Sequence, residues 1–263
     1  MSDIKRAVLI DLNSTLEIRR ERICLLALHL DAWWPCDESR STVLDTRGLG
    51  LSEKLLTKAR SLTCNPDAAA ARVLHRAEEL GARIVTMHDS EYPAQLLDLD
   101  LPPPVLYCRG KLSSAPRIAI VGSRQASRQG REIAELAGRE LALRGLVVVS
   151  GFARGVDAAA HRGALSASQG ETIAVLGCGL DFDYPRGHRS LADQIAAHGA
   201  VISEFPFGTR PAAQNFPVRN RIIAALAEGT LVVEATARSG SLSTARLALD
   251  LGRDVYAVPG ALF

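Results

Sequence analysis

Residues 118–155 read IAIVGSRQASRQGREIAELAGRELALRGLVVVSGFARG. An unbroken apolar run, Ile118–Val121, ends in Gly122-Ser123-Arg124, and a helical stretch of about 128–144 follows. A second apolar run, Leu146–Val149, then ends in Ser150-Gly151-Phe152-Ala153-Arg154-Gly155. Strands with one wet face alternate apolar and polar residues, so runs without alternation belong to strands covered on both faces. The alternation continues downstream, with apolar runs at Thr172–Leu176, Ala200–Ser203, Thr230–Val233 and Asp254–Val258. Helical segments lie between them at about 156–168, 188–198, 218–228 and 241–251. Strand and helix in strict turn define an α/β, Rossmann-like domain with a mostly parallel sheet.

Upstream the pattern differs. Ile18, Ile23, Leu26 and Leu30 recur near helical spacing, as do Leu51, Leu55, Leu56 and Ala59. Asn65-Pro66-Asp67 reads as a helix start, with a helix over 68–80 closed by Gly81 and a short strand over 82–87. Tyr92-Pro93 through Pro102-Pro103-Pro104 is an extended connector leading to an apolar run at Val105–Cys108. The expected division is a small helical domain over residues 1–72 and the Rossmann-like domain over 73–263.

Bulk properties bound the function only loosely. The net charge of +2 hides an asymmetry: residues 111–263 hold 17 of the 31 basic groups but 13 of the 29 acidic ones, and all of those 17 except Lys111 are arginine. The planar arginine fork suits bidentate phosphate recognition, although a biased base composition in the genome explains such enrichment equally well. The 5 cysteines are scattered without C-x-x-C spacing, which argues for a reducing compartment and against a disulfide framework or zinc site. No apolar run approaches the roughly 18 residues of a membrane span, and the first residues lack the apolar core of a signal peptide. The expected location is the cytoplasm.

In a parallel α/β sheet, ligands bind beyond the carboxyl ends of the strands. The loops that follow the strands carry Gly122, Ser123 and Arg124, then Gly151, Arg154 and Gly155, then Gly177-Cys178-Gly179. Further on come Glu204 through Arg210, and Glu234 through Arg238, Ser239 and Gly240. Glycine lets the backbone approach an anion closely, and helix N-termini offer N–H groups. One such loop is ordinary turn chemistry; several on one rim point to phosphate. The first loop is not G-x-G-x-x-G, and no G-x-x-x-x-G-K-[ST] occurs, so neither a dinucleotide cofactor nor a P-loop nucleotide is expected. No cofactor and no metal site are expected at all.

Asn215-Phe216-Pro217-Val218-Arg219-Asn220-Arg221 places an aromatic ring beside two arginines at a loop-to-helix junction. A ring that stacks on a base and arginines that follow the backbone are what binding a single strand requires. The alternative is that Phe216 packs into the core and the arginines pair with acids such as Glu204 or Glu234; the residues alone leave both open. Phe207 invites the same two readings. Asp157 and His161, four apart on one helix face, are expected to buttress the second loop rather than act as an acid–base pair. Glu234 joins them as structural support, and Asp181 and Asp183 read as loop structure.

In order, the blocks G-S-R, S-G-x-A-R-G-V-D-x-x-A-H, G-x-G-L-D-x-x-Y-P, S-E-F-P-F-G-T-x-P, N-F-P-x-R-N-R-I-I, E-A-x-x-x-S-G-S-L-x-T-A and R-D-V-x-A-V-P-G strongly resemble the DprA/Smf family, the DNA-processing proteins of natural transformation. The resemblance spans about residues 75–263. It implies a binding protein rather than an enzyme, one that binds and protects single-stranded DNA without sequence preference and loads the recombinase RecA onto it. It also implies a small helical, SAM-like domain ahead of the Rossmann-like one, and a homodimer. Its DNA pocket would use Arg124, Arg154 and Phe216. The chain departs from the family at Ala212-Ala213-Gln214, where a basic residue often precedes N-F-P. It also lacks a clear glycine-turn signature in residues 1–72, and it reaches Phe263 where family sequences continue into a dimerisation surface, so the domain is expected to be incomplete there. The rival expectation is a nucleotide-binding or nucleotide-hydrolysing protein akin to nucleoside-monophosphate phosphoribohydrolases; their P-G-G-x-G-T motif is absent.

Overall fold

The computed structural model describes residues 66–236 and 239–260. Residues 1–65 of the helical domain expected over 1–72, and Arg238, lie outside the described residues. By contacts the chain forms two units, residues 93–99 and 107–263 making up the second.

In the first unit, α1 (Pro66–Glu79) runs through the boundary expected at 72/73. It stops at Gly81, whose φ of +61° is a left-handed conformation open to glycine. Strand β1 (Ala82–Thr86) follows, and the Thr86 amide and hydroxyl both donate to the Asp89 carboxylate in the turn beyond it. The Tyr92 hydroxyl donates to the Pro103 carbonyl at 2.8 Å, tying the proline-rich connector back on itself. The connector enters β2 (Val105–Gly110). Residues 94–98 of the connector, which belong to the second unit, form a 3₁₀ turn (Ala94–Asp98) in place of the extended segment expected, with Leu96 buried.

The second unit is the Rossmann-like domain. Its strands are β3 (Arg117–Val121), β4 (Val147–Ser150), β5 (Thr172–Val175), β6 (Ala200–Ser203), β7 (Gly229–Val232) and β8 (Asp254–Ala257). They lie in the order β2-β6-β5-β4-β3-β7-β8. All pair in parallel except β2, which runs antiparallel to β6 with Tyr107 opposite Ser203. The runs read as unalternating are buried along their length in β4, β5 and β6. The order reverses beside β3, whose neighbours are β4 and β7, so the loops after β3 and β7 part there and leave a crevice.

Helices α2 (Arg128–Leu143), α3 (Val156–Ser166), α4 (Arg189–His198), α5 (Asn215–Leu226) and α6 (Gly240–Asp250) connect the strands. Gly130, Ala134, Gly138 and Ala142 repeat every fourth residue and form the buried stripe of α2. A side chain at Gly138 would strike the Ala160 carbonyl, so the stripe lets α2 and α3 pack backbone against backbone. Helix α5 begins at Asn215, not near 218 as expected. Pro217 is tolerated because it occupies the first turn, where backbone N–H groups have no helical acceptor to lose. Phe216 is thereby a helical residue, held in a rigid first turn. No helix among the described residues is long and apolar enough to cross a membrane.

Candidate nucleic-acid interface

The loops after the strands converge on a groove with two lobes. One lobe, of about 480 Å³, is bounded by the loops after β4 and β5, with Phe152, Leu176, Cys178, Tyr184 and Phe216 among its walls. The other, of about 640 Å³, opens at the crevice between β3 and β7 and reaches Ser123, Asn220, Ser239 and Ser241. Arg124, Ala153, Tyr184, Phe216 and Arg219 line both, so they form the divide.

At the divide two rings and a cation meet. The Tyr184 and Phe216 rings stack with centroids 5.6 Å apart and planes inclined by 27°. The Arg124 guanidinium carbon lies 4.7 Å from the Phe216 centroid. Phe216 is half-buried at the groove wall, between the two readings the sequence allowed. Its seat is the backbone of Gly177, where a Cβ would come within 2.8 Å of the ring. Arg124, Arg154 and Arg186 are exposed around the first lobe. Arg186 and Tyr184 escaped the sequence reading; their signal was a Tyr-Pro-Arg triplet on the same rim after the third apolar run.

The two arginines downstream of Phe216 are placed differently from the backbone-following role expected of them. Arg219 is only 4% exposed. Its Nη1 donates to the Gly151 carbonyl at 2.5 Å and to the Val175 carbonyl. Carbonyls at the C-terminal ends of parallel strands point their negative ends at the ligand side, and Arg219 covers two of them from beneath. Burial pushes its pKa down to about 10, with Asp157 opposing that shift, so it stays charged at neutral pH. Arg221 forms an ion pair of 2.6 Å with buried Glu204, which is the pairing raised as an alternative. Asn220 donates to the Gly240 carbonyl at 3.2 Å and holds the N-terminus of α6, and Asn215 reaches back to the Arg210 carbonyl at 3.4 Å.

The glycines set close approaches. A side chain at Gly122 would strike Val156, and one at Gly151 would meet Asp157 and Arg219 at 2.7 and 2.8 Å. Gly155, with φ +80°, brings the second loop against the backbone of Ser123 and Arg124. Ser123 is fixed by its amide, which donates to the Glu234 carbonyl at 2.7 Å.

The supporting residues divide their work. Asp157 accepts from the Ala153 amide at 3.2 Å and so holds the second loop. Burial raises its pKa, an effect that Arg219 partly offsets. His161, fully buried, meets that loop through the Phe152 ring, with centroids 6.0 Å apart, and makes its hydrogen bond to the sheet. Its Nδ1 meets the Thr172 hydroxyl at 2.7 Å, and that hydroxyl donates to the Val148 carbonyl. Nδ1 therefore carries the proton, and His161 fastens α3 to the sheet. Burial drives its pKa to about 3, with His188 and Arg219 adding to the fall.

Glu234 takes the amide and hydroxyl of Ser127, the N-cap of α2, at 2.7–3.2 Å. The N-terminus of α2 is thus filled by the protein's own carboxylate, and the anion-binding role expected of that helix end is withdrawn. At the start of α6, Ser239 and Ser241 share a hydrogen bond of 2.7 Å, and no side chain caps the helix. Asp181 accepts from the Gly208 amide at 2.8 Å, tying the loops after β5 and β6 together.

Fold and groove together define a Rossmann-like protein whose strand-end loops present arginines and aromatic rings on one rim. A family model for DNA recombination-mediator protein A matches residues 83–263. Protein Smf of Synechocystis is 38% identical over 245 residues, covering 90% of this chain and 60% of the relative. DNA processing protein DprA of Bacillus subtilis is 38% identical over 237 residues, covering 88% of this chain and 79% of the relative. The X-ray structure of DprA from Streptococcus pneumoniae aligns over 100% of this chain and 88% of its own, with TM-score 0.81 and 32% identity. DNA processing protein A from Helicobacter pylori, solved for insight into its single-stranded DNA binding mode, aligns over 68% of this chain and 82% of its own, with TM-score 0.62 and 33% identity. The chain belongs to the DNA recombination-mediator protein A family, the DprA/Smf proteins, as the motif order implies.

Proposed function

We propose that this chain binds single-stranded DNA along the two-lobed groove without reading its sequence. The observation that carries the reading is the divide: Arg124 against Phe216, Phe216 stacked on Tyr184, and Arg154 and Arg186 exposed beside them. Cations that follow phosphates and rings that stack on any base give affinity without sequence preference. The H. pylori relative, described by its single-stranded DNA binding mode, supports the same ligand here. Cys178, in the wall of the smaller lobe, is held as the neutral thiol by burial, with its pKa pushed up to about 11, and the role proposed is binding rather than catalysis. Site residues Gly122, Ser123, Arg124, Gly151, Arg154, Gly155, Asn215, Phe216, Asn220, Ser239 and Gly240 shape or line the groove, with Arg219 under its floor. The wider role is to protect incoming strands in the cytoplasm during transformation and recombination and to load RecA onto them, as a homodimer.

The test compares oligo-dT, oligo-dA, a mixed single strand and a duplex of equal length by fluorescence anisotropy. The three single strands are expected to bind within a few-fold of one another and the duplex at least ten-fold more weakly. A duplex bound as tightly, or one sequence strongly preferred, contradicts the reading. RecA loading is checked separately, by RecA filament formation on strands preincubated with the protein.

A further inference from the structure

Behind the smaller lobe stands an ionisable ring that lines neither lobe. His188 occupies the N-cap position of α4, and its amide donates to the Pro185 carbonyl at 3.1 Å. Its ring meets Phe152, a wall of that lobe, edge to face, with centroids 5.4 Å apart and planes at 86°. Nδ1 is buried and has no hydrogen-bond partner among the described residues, so the ring gains no local contact from a second proton. Exposed cations face it from the loop after β4 (Arg154) and from α3 (Arg162), and Arg186 and Arg189 flank it in the chain. The N-terminus of α4 adds the positive end of its dipole. Asp183, exposed in the loop after β5, opposes these charges, while His161 behind Phe152 is neutral. Burial, then Arg162 and Arg154, hold the His188 pKa below the usual histidine range, with Asp183 pulling the other way.

Arg154 and Arg186 line the smaller lobe, so phosphates of a strand in the groove lie against the same cations that repel a proton from His188. Each phosphate cancels part of that repulsion. Resting on the proposed binding of single strands, we infer that His188 couples the groove to protons: it takes one up as a strand settles over Arg154 and Arg186, so the grip tightens on mild acidification. The sign follows from linkage. The complex holds more protons than the free protein, and affinity therefore rises as the pH falls through the range where His188 is neutral alone and charged in the complex. A rise of one pKa unit on binding gives a gain of up to about ten-fold. His161, at about 3, titrates below this range. Asp157, buried beside Arg219 and within the field of Arg124, has its pKa raised by burial and also sheds negative charge on acidification, so it is the competing source of such an effect.

The experiment uses the full chain and labelled oligo-dT, whose bases take up no proton near neutral pH. Affinity is followed at fixed ionic strength from about pH 8 to about pH 5.5, which brackets histidine, for wild type and His188→Gln. Calorimetry in two buffers of unlike ionisation enthalpy counts the protons taken up on binding. The wild type is expected to bind up to about ten-fold more tightly at the acid end and to take up a fraction of a proton; His188→Gln should lose both. Arg162→Gln, an exposed change that lines neither lobe, should move the wild-type profile to higher pH, because it removes a cation that repels the proton. If His188→Gln does not fold, that shift decides, and an unmoved profile overturns the inference. Tightening retained in His188→Gln also overturns it and passes the effect to Asp157. A wild type with a flat profile and no proton uptake overturns it as well, leaving strand binding intact. Failure to bind oligo-dT at any pH overturns the proposed function itself.

Discussion

The guanidinium carbon of Arg124 stands 4.7 Å from the centre of the Phe216 ring, so the groove's foremost cation and its ring already contact each other before any strand arrives. A contact of this kind is worth about 0.5–1 kcal/mol at an exposed site. A strand can displace it cheaply, gaining a phosphate contact for Arg124 and a base for the ring. The two residues are therefore coupled but separable in what they contribute. Phe216→Ala is expected to cost about 1–3 kcal/mol of binding with little change in salt slope. Measuring both single variants and the double one in a cycle should show a non-zero coupling term; strict additivity would mean the contact is incidental.

Arg219 is predicted to matter for stability more than for grip. Replacing it with Met leaves the carbonyls of Gly151 and Val175 without their donor and Asp157 without its balancing charge. Breaking a buried charged arrangement costs about 3–5 kcal/mol. A urea titration should show the midpoint falling accordingly, and an unchanged midpoint would refute the placement of this side chain.

His161 makes the fold sensitive to acid. It is neutral when folded, with its pKa near 3, whereas an unfolded histidine protonates near 6.5. Between those values the unfolded chain binds the extra proton. Stability from this group is whole above about pH 6.5 and drains away as the pH falls toward 3, at up to about 1.4 kcal/mol per unit. His161→Gln should remove that part of the slope. Denaturation at several pH values checks it: parallel curves for wild type and variant would be the contrary result.

The cap of α2 offers a local test. Ser127→Ala removes both the acceptor for the Gly130 amide and the donor to Glu234. Loss of an N-cap costs about 0.5–2 kcal/mol, which thermal melting resolves. Strand binding should change little, because this helix end faces Glu234 and not the ligand.

Much of this was legible in the residues. Strands without alternation announced a doubly covered parallel sheet, and the loops Gly122 through Arg124 and Gly151 through Gly155 do lie at the groove. The fate of the arginines was not legible. Arg219 and Arg221 are two apart on one helix, so they point in different directions, and only tertiary packing sends one under the floor and the other to Glu204. Tyr184 and Arg186 were passed over because a loop holding Asp181, Asp183 and Pro185 reads first as turn chemistry. Helix α5 starts at Asn215, ahead of the position expected near 218, because Pro217 is permissive in a first turn. Ala213, which stands exposed in the larger lobe, is where the family pattern led us to expect a basic residue.

In the proposed function the groove holds a single strand by phosphate contacts at Arg124 and its neighbours. Its most direct test is a salt titration of labelled oligo-dT binding, run on wild type and Arg124→Ala together. Wild-type affinity should fall steeply with salt, as counterions released by phosphate contacts require, and the variant should bind more weakly with a log–log slope shallower by about 0.7, the loss of one contact on a single strand. A variant with wild-type affinity and slope would contradict the account.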